Sequence, residues 1–393
     1  MLSLSLSLSL NAQPDPSTWS PTLQALEQSG TVGVIPFQLH LDYGFFTYLD
    51  IMNAIIPPPD SKHADEIPTG YSQAGHVAHL NLRERYWPYK HLIATVLADK
   101  NPTVRTVINK LDSVGADNAF RTFQYEVLAG PDDMNVTLHE QGCTFAFDFA
   151  KVYWNSRLHT EHERLCNLFN EGDAICDVMA GIGPFAVPAG KKKCFVYAND
   201  LNPESYNALV GAVKTNKVGE YVRPFNMDGH QFIRTATAEL LDTEYSAPVY
   251  PKKRPSRSDP NAAKPAPTKT LVQPRIFSHY IMNLPASAIT FLPSFIGLYA
   301  NIPNTSSSDI RKLLAPHTST PLPMIHVHCF STKSDDNVAE TQEICAEISR
   351  QLDFEITPER EDLSVWDVRD VAPKKRMFCA SFRLPEEVAF REG

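Results

Sequence analysis

The chain has 393 residues, enough for two or three domains with their own cores, and its 43% hydrophobic and 21% charged residues are those of an ordinary globular protein. A formal net charge of −9 gives no electrostatic reason to expect a nucleic-acid partner. The seven cysteines form neither a CxxC pair nor a cysteine–histidine ligand spacing, so they read as reduced, buried thiols of an intracellular protein with no metal site, and no apolar run is long enough to span a membrane.

The first stretch, MLSLSLSLSL, alternates Leu and Ser without a positive charge, and residues 1–31 read as a disordered or truncated remnant with one short helix near Leu23 to Leu26. Val34 to Tyr43 alternates like a strand, and Phe46 to Ile56 has helical periodicity. Beyond a Pro-rich connector, His76 to Leu82 and Val104 to Leu111 read as strands, with a helix predicted over Tyr86 to Leu97. A ribbon follows over Phe123 to Leu128 and Asn135 to Phe149. Residues 32–150 are therefore expected to form a small α/β domain. Its basic and aromatic cluster, Arg83, Arg85, Tyr86, Trp87, Tyr89, Lys90 and His91, suits RNA backbone and base contact as well as it suits a solvated helix start.

In KVYWNSRLHTEHERL, Arg157, Glu161 and Arg164 recur at spacings that place them on one helix face, directly before the central strand. Ile175 to Pro203 (ICDVMAGIGPFAVPAGKKKCFVYANDLNP) then reads as strand, glycine turn, helix, strand and acidic residue, with Pro184 at the first helical position. Such a unit sets a glycine turn and a carboxylate at the carboxyl ends of adjacent parallel strands, where an open sheet binds a nucleoside-containing ligand. Pro184 has no amide to offer a phosphate, and an acid four residues before Gly181 suits S-adenosylmethionine (SAM) better than a dinucleotide. A dehydrogenase and a ligand-free tight turn remain the alternatives for this motif alone.

A helix is expected over Glu204 to Lys217 and a strand over Tyr221 to Met227, ending in Asp228. Residues 250–271 are a low-complexity stretch in which six basic residues oppose one aspartate, and they read as a disordered surface insertion. Arg275 to Met282 is strand-like and stops at Asn283-Leu284-Pro285; Phe291 to Leu298 reads as a helix with Pro293 in its first turn. Met324 to Phe330 is a strand, Val338 to Leu352 a helix, and Trp366 to Val371 pairs with Met377 to Leu384 as a closing hairpin. Residues 151–393 thus form one α/β domain.

The segments FDFAKVYWNSRLHTEHERL, DVMAGIGPFAVPAGKKKCFVYANDLNPES, YIMNLPASAITFLPSF and VRDVAPKKRMFCASFRLP resemble the archaeal–eukaryotic tRNA (guanine-N1)-methyltransferase family. EIPTGYSQAGHVAHLNLRERYWPYK and INKLDSVGADNAFRTFQYEVLAG extend the similarity over most of the chain from about residue 32. The resemblance implies a class I SAM-methyltransferase with a Rossmann-like sheet, preceded by an RNA-contacting domain, that methylates N1 of guanosine 37 in tRNA. It implies Glu161 as general base, Arg121 at guanine O6, Asn283 and Pro285 around the target base, and Arg157 orienting the glutamate or a phosphate. For SAM it implies the turn of Asp177, Ala180, Gly181 and Gly183, then Asp200 and Leu201 at the ribose, Asp228 at the adenine, and Asn283 near the methyl group. The family works as a monomer in cytosol, nucleus and mitochondrial matrix, and its module for the tRNA outer corner is longer than the residues preceding Val32. A related aminocarboxypropyl transferase of the wybutosine pathway and a non-catalytic tRNA-binding relative are the competing readings.

Overall fold

A computed structural model describes residues 17, 19–33, 41–57, 67–111, 120, 122–251, 266–300, 302–303 and 305–392. The expected strand at Val34 to Tyr43 and most of the basic insertion lie outside these residues. The chain divides into two compact units, the first of residues 1–72, 78–109 and 126–132, the second of residues 73–77, 110–125 and 133–393.

In the first unit, helix α1 (Pro21–Gln28) starts on the Ser20 hydroxyl, and α2 (Tyr48–Ile55) on a reciprocal cap between Thr47 and Asp50. Strands β1 (Ser72–Ala74) and β2 (Val77–Leu80) precede α3 (Lys90–Lys100), and β3 (Thr106–Lys110) and β4 (Tyr125–Ala129) complete a sheet of order β1-β2-β3-β4. The helix expected from Tyr86 begins instead as a 3-10 turn, Glu84–Tyr89, because Pro88 lacks an amide for a regular first turn. Ile51, Met52, Leu80, Ile93, Leu97 and Val107 form the core.

The second unit opens with a hairpin, β5 (Asn135–Glu140) and β6 (Cys143–Asp148). The hairpin thus falls in the unit whose longest stretch starts at Asp133, whereas the sequence reading divided the chain after residue 150. The reason is a double hydrogen bond: Asn216 accepts the Thr144 amide at 2.9 Å and donates to the Thr144 carbonyl at 2.7 Å. Next come α4 (His159–Leu168), β7 (Ala174–Asp177), α5 (Ala186–Lys191), β8 (Phe195–Asn199), α6 (Pro203–Asn216), β9 (Val222–Phe225) and α7 (Gly229–Asp242). Pro184 falls in the turn before α5, two residues ahead of the first helical position assigned to it.

Strands β10 (Ser246–Val249) and β11 (Lys269–Val272) pair antiparallel as a two-stranded ribbon, so the predicted insertion ends earlier than residue 271. Then follow β12 (His279–Met282), α8 (Ser307–Arg311), β13 (Met324–Ser331), α9 (Val338–Leu352), β14 (Ser364–Ala372), β15 (Lys375–Arg383) and α10 (Glu386–Ala389). The helix expected at Phe291 to Leu298 is a 3-10 segment, Ala288–Phe295, with Pro293 near its end.

The main sheet has the order β14-β15-β13-β12-β7-β8-β9. Its β13-β12-β7-β8-β9 portion is parallel and β15 runs antiparallel to both β13 and β14. The chain lays β8 and β9 on one side of β7 and returns to place β12 on the other, so the strand order reverses at β7 and opens a crevice at its carboxyl end. Tyr280, Phe277, Phe295 and Phe378 belong to the core packed on one face of the sheet.

Two histidines lie buried across β12 and β13, His279 Nδ1 standing 3.0 Å from His326 Nε2 and His326 Nδ1 2.8 Å from Ser381 Oγ. Burial holds His279 down at about 4 and pushes His326 lower still. A histidine that stays neutral in the fold but protonates when unfolded withdraws stability as pH falls from about 6.5 toward 4. His279→Gln is expected to leave the protein less acid-sensitive, shrinking the loss between pH 7 and 4 by on the order of 3 kcal/mol. Denaturant titrations of both proteins across that range check this.

Candidate active site

The crevice at β7 is lined by Phe120, Tyr153, Val178, Met179, Gly181, Asn199, Asp200, Leu201, Asn202, Ser205, Asp228, Gly229, Asn283, Leu284 and Phe291. A second cavity continues from it along Tyr153, Met179, Gly181 and Asn283 to Trp154, Leu158, His162, Ala180 and Phe185.

The glycine turn is built as its spacing requires. Gly181 and Gly183 have φ of 58° and 94°, and the Gly183 amide donates to the Ala180 carbonyl at 2.9 Å. Open space surrounds a Cβ at Gly181, whereas one at Gly183 would stand 2.6 Å from Leu209 and 2.9 Å from Val187. Gly181 therefore faces the ligand space and Gly183 sets how closely α6 approaches.

Asp200 fastens the same turn, its Oδ2 accepting the Gly181 amide at 2.8 Å and its Oδ1 the Asn202 amide at 2.9 Å. Burial nevertheless pushes its carboxyl up. Asp228 is the N-cap of α7, accepting the His230 and Gln231 amides, and still lines the crevice. Asn199, which the sequence did not single out, ties three strand ends together: its amide donates to the Val178 and Met227 carbonyls, both at 3.0 Å, and its oxygen accepts the Met227 amide at 2.9 Å.

Two buried groups at this junction have no protein partner. Both carboxyl oxygens of Asp177 are unpaired on a residue with no exposed surface, and burial, then the charge of Asp200, pushes the carboxyl well above the usual range. The Asn283 side-chain oxygen is likewise buried and unpaired, and Asn283 lines both cavities. A protein interior rarely leaves such groups unmatched, and of the two only Asn283 lines the cavities, where a ligand can supply the missing donor.

Glu161 is 2% exposed and is not among the residues lining either cavity. Arg164 Nε and Nη2 donate to its two oxygens at 2.6 and 2.8 Å, and His328 Nε2 stands 2.7 Å from Oε1. Burial alone would push this carboxyl up, but the Arg164 and His328 hydrogen bonds overcome it and hold the group at about 2. Glu161, His328 and Cys379 lie within 4.8 Å of one another, a spacing a cation can use, but Arg164 already supplies the positive charge.

The other expected residues divide between pocket and periphery. Ala180 and Leu201 line the cavities. Pro285 lines neither and instead holds the strand-end loop, its carbonyl accepting the Phe330 amide at 3.1 Å. Arg157 is exposed in the 3-10 turn Ser156–Leu158 rather than sharing a face with Glu161. Burial and the Arg157 charge push Arg369 down, against the opposing effect of Tyr153 and Asp370. Arg121 lies outside the described residues. Tyr153, 38% exposed at the mouth of both cavities, went unnoticed in the sequence because nothing in KVYWN separates it from a surface tyrosine. The signal for His328 was legible: a second histidine inside the otherwise apolar strand MIHVHCF.

Family models match two stretches of the chain, a TRM5/TYW2 methyltransferase domain over residues 136–245 and a TYW2 N-terminal domain over residues 49–133. The tRNA (guanine(37)-N(1))-methyltransferase of Phaeosphaeria nodorum is 68% identical over 378 residues, which cover 96% of this chain and 81% of that protein. Among solved structures, the complex of aTrm5 and tRNALeu is similar in fold, with a TM-score of 0.60 at 19% identity over 92% of this chain and 86% of that one. TYW2 of P. horikoshii in complex with MeSAdo gives 0.52 at 20% identity, over 86% and 97%.

The two glycines separate by substitution. Gly183→Ala is expected to cost about 1–3 kcal/mol through left-handed strain and contact with Leu209, and Gly181→Ala about 1 kcal/mol from strain alone. Denaturant midpoints of the two variants check the order, which reverses if Gly183 is not the packing glycine.

Proposed function

The chain belongs to the tRNA (guanine(37)-N(1))-methyltransferase family, and on that premise we propose that it transfers the methyl group of SAM to N1 of guanosine 37 in tRNA. The observation that carries the reading is the unpaired buried oxygen of Asn283, which lines both cavities. The N–H edge of a guanine satisfies it. SAM fits the donor side in charge and in shape: Gly181 leaves room, Asp200 and Asp228 offer acceptors to hydroxyl and amino groups, and Phe291 and Leu201 supply apolar walls.

When bound, SAM supplies an electrophilic methyl on a sulfonium. The residues of the chain do the rest. Guanine N1 carries a proton, and its attack on the methyl requires that proton to leave as the N–C bond forms and the C–S bond breaks. Burial pushes Asp177 and Asp200 toward their protonated forms, whereas Glu161 is the carboxyl held ionised and takes the proton. Asn283 fixes the guanine edge, and Tyr153 offers a ring at the mouth for stacking. The exposed Arg157 offers a positive charge to a phosphate. The −9 net charge argued against a nucleic-acid partner only globally.

Methyl-labelled SAM incubated with tRNA transcripts carrying guanosine or adenosine at position 37 tests the activity. Label is expected on the guanosine transcript alone, at N1; label independent of that base, or a product bearing the aminocarboxypropyl mass instead, overturns the reading. Glu161→Gln is expected to lower methyl transfer on the order of a hundredfold with SAM binding nearly intact. Full activity of that variant at neutral pH removes Glu161 from the role.

A further inference from the structure

We propose that His328 is a positioning residue for methyl transfer, joining the Glu161 carboxylate to the end of the strand that carries Asn283. The proposal rests on Glu161 being the proton acceptor. His328 has no exposed surface and projects from β13, one strand over from β12. Its Nε2 is 2.7 Å from Glu161 Oε1, and its Nδ1 is 3.3 Å from the carbonyl oxygen of Met282, the residue before Asn283. A carbonyl oxygen and an ionised carboxylate are both acceptors only, so each ring nitrogen carries a hydrogen and the ring is a cation.

The surroundings agree. Burial alone would push the imidazole down, but Cys379, which faces it from β15, and Glu161 lift it to about 10. Asp177 on β7 and His326 on the same strand lie within electrostatic reach, Arg164 closes the far side of Glu161, and the Phe185 ring is 6.3 Å away. The two cations on Glu161 differ in kind. Arg164 is 23% exposed and lies under the half-exposed Trp366 ring at 5.2 Å, where it is open to exchange. His328 is enclosed, has both nitrogens committed, and is the fixed partner. The proton acceptor and the guanine-facing amide are thus set in register by two hydrogen bonds through one ring.

His328→Gln in the full chain tests this, because glutamine keeps a donor to Glu161 but removes the charge. Single-turnover methyl transfer to a tRNA transcript is expected to fall on the order of tenfold to a hundredfold at neutral pH, with KM for SAM and tRNA within about twofold. With the cation gone, Glu161 protonates at higher pH than before, so the variant is expected to lose activity as pH drops toward 5 where the parent profile stays flat. On a Glu161→Gln background the same change is expected to add nothing further. A parent-like rate and flat profile, or a full additional loss in the double variant, overturns the proposal. If Glu161→Gln is itself fully active, the proton-acceptor reading falls instead, which separates the two failures. Nitrogen-15 NMR of histidine-labelled parent protein at pH 7.5 decides the matter where the variant does not fold: two protonated ring nitrogens at His328 are expected, and a neutral ring overturns the proposal.

Discussion

Because the sheet is wound outward from β7 in both directions, the loops after β7, β8, β9 and β12 all open along one edge, and the site is the set of side chains these loops carry. Asp177 ends β7, Asp200 follows β8, Asp228 follows β9 and Asn283 follows β12. Asn199 then fixes their spacing by bonding to backbone after β7 and β9 at once. The fold treats the three carboxylates differently: Asp200 and Asp228 accept backbone amides, while Asp177 is buried with neither oxygen hydrogen-bonded.

Behind that edge lies a second arrangement of charge. Glu161 remains ionised inside the protein only because Arg164 and His328 surround it, and removing either partner leaves a buried charge short of compensation. The cluster spans the sheet from Trp366 on β14, through Arg164 and Glu161, to His328 on β13 and the Met282 carbonyl on β12. It gives α4 a fixed docking position against the strand ends, and so couples the position of a helix to the geometry of a pocket it does not line. The two cations differ in access: Arg164 is partly exposed, whereas His328 is enclosed.

Periodicity and turn chemistry made most elements legible. Short apolar runs marked the strands of the main sheet, and Gly181-Ile182-Gly183 with Asp200 marked the ligand edge, because strand, turn, helix and strand are consecutive in the chain. Where local signals misled, a backbone cause is visible. Pro88 converts a predicted helix start into a 3-10 turn, and the hairpin 135–148 joins the second unit because Asn216, 72 residues from Thr144, bonds to it. Spacing placed Arg157 with Glu161 on one helix face, but α4 starts only at His159 and leaves Arg157 outside it.

The sequence by itself determined the class of sheet, the glycine turn and the residues that end its strands, since all of these follow from short-range spacing. Only the tertiary structure decided what those residues experience. His328 reaches Glu161 across 167 residues of chain, and no periodicity encodes that meeting. The unpaired state of Asp177 and Asn283 and the clamp on Glu161 depend on which distant groups come to lie beside them. Burial and charge act through space, so they belong to the fold and not to the order of residues.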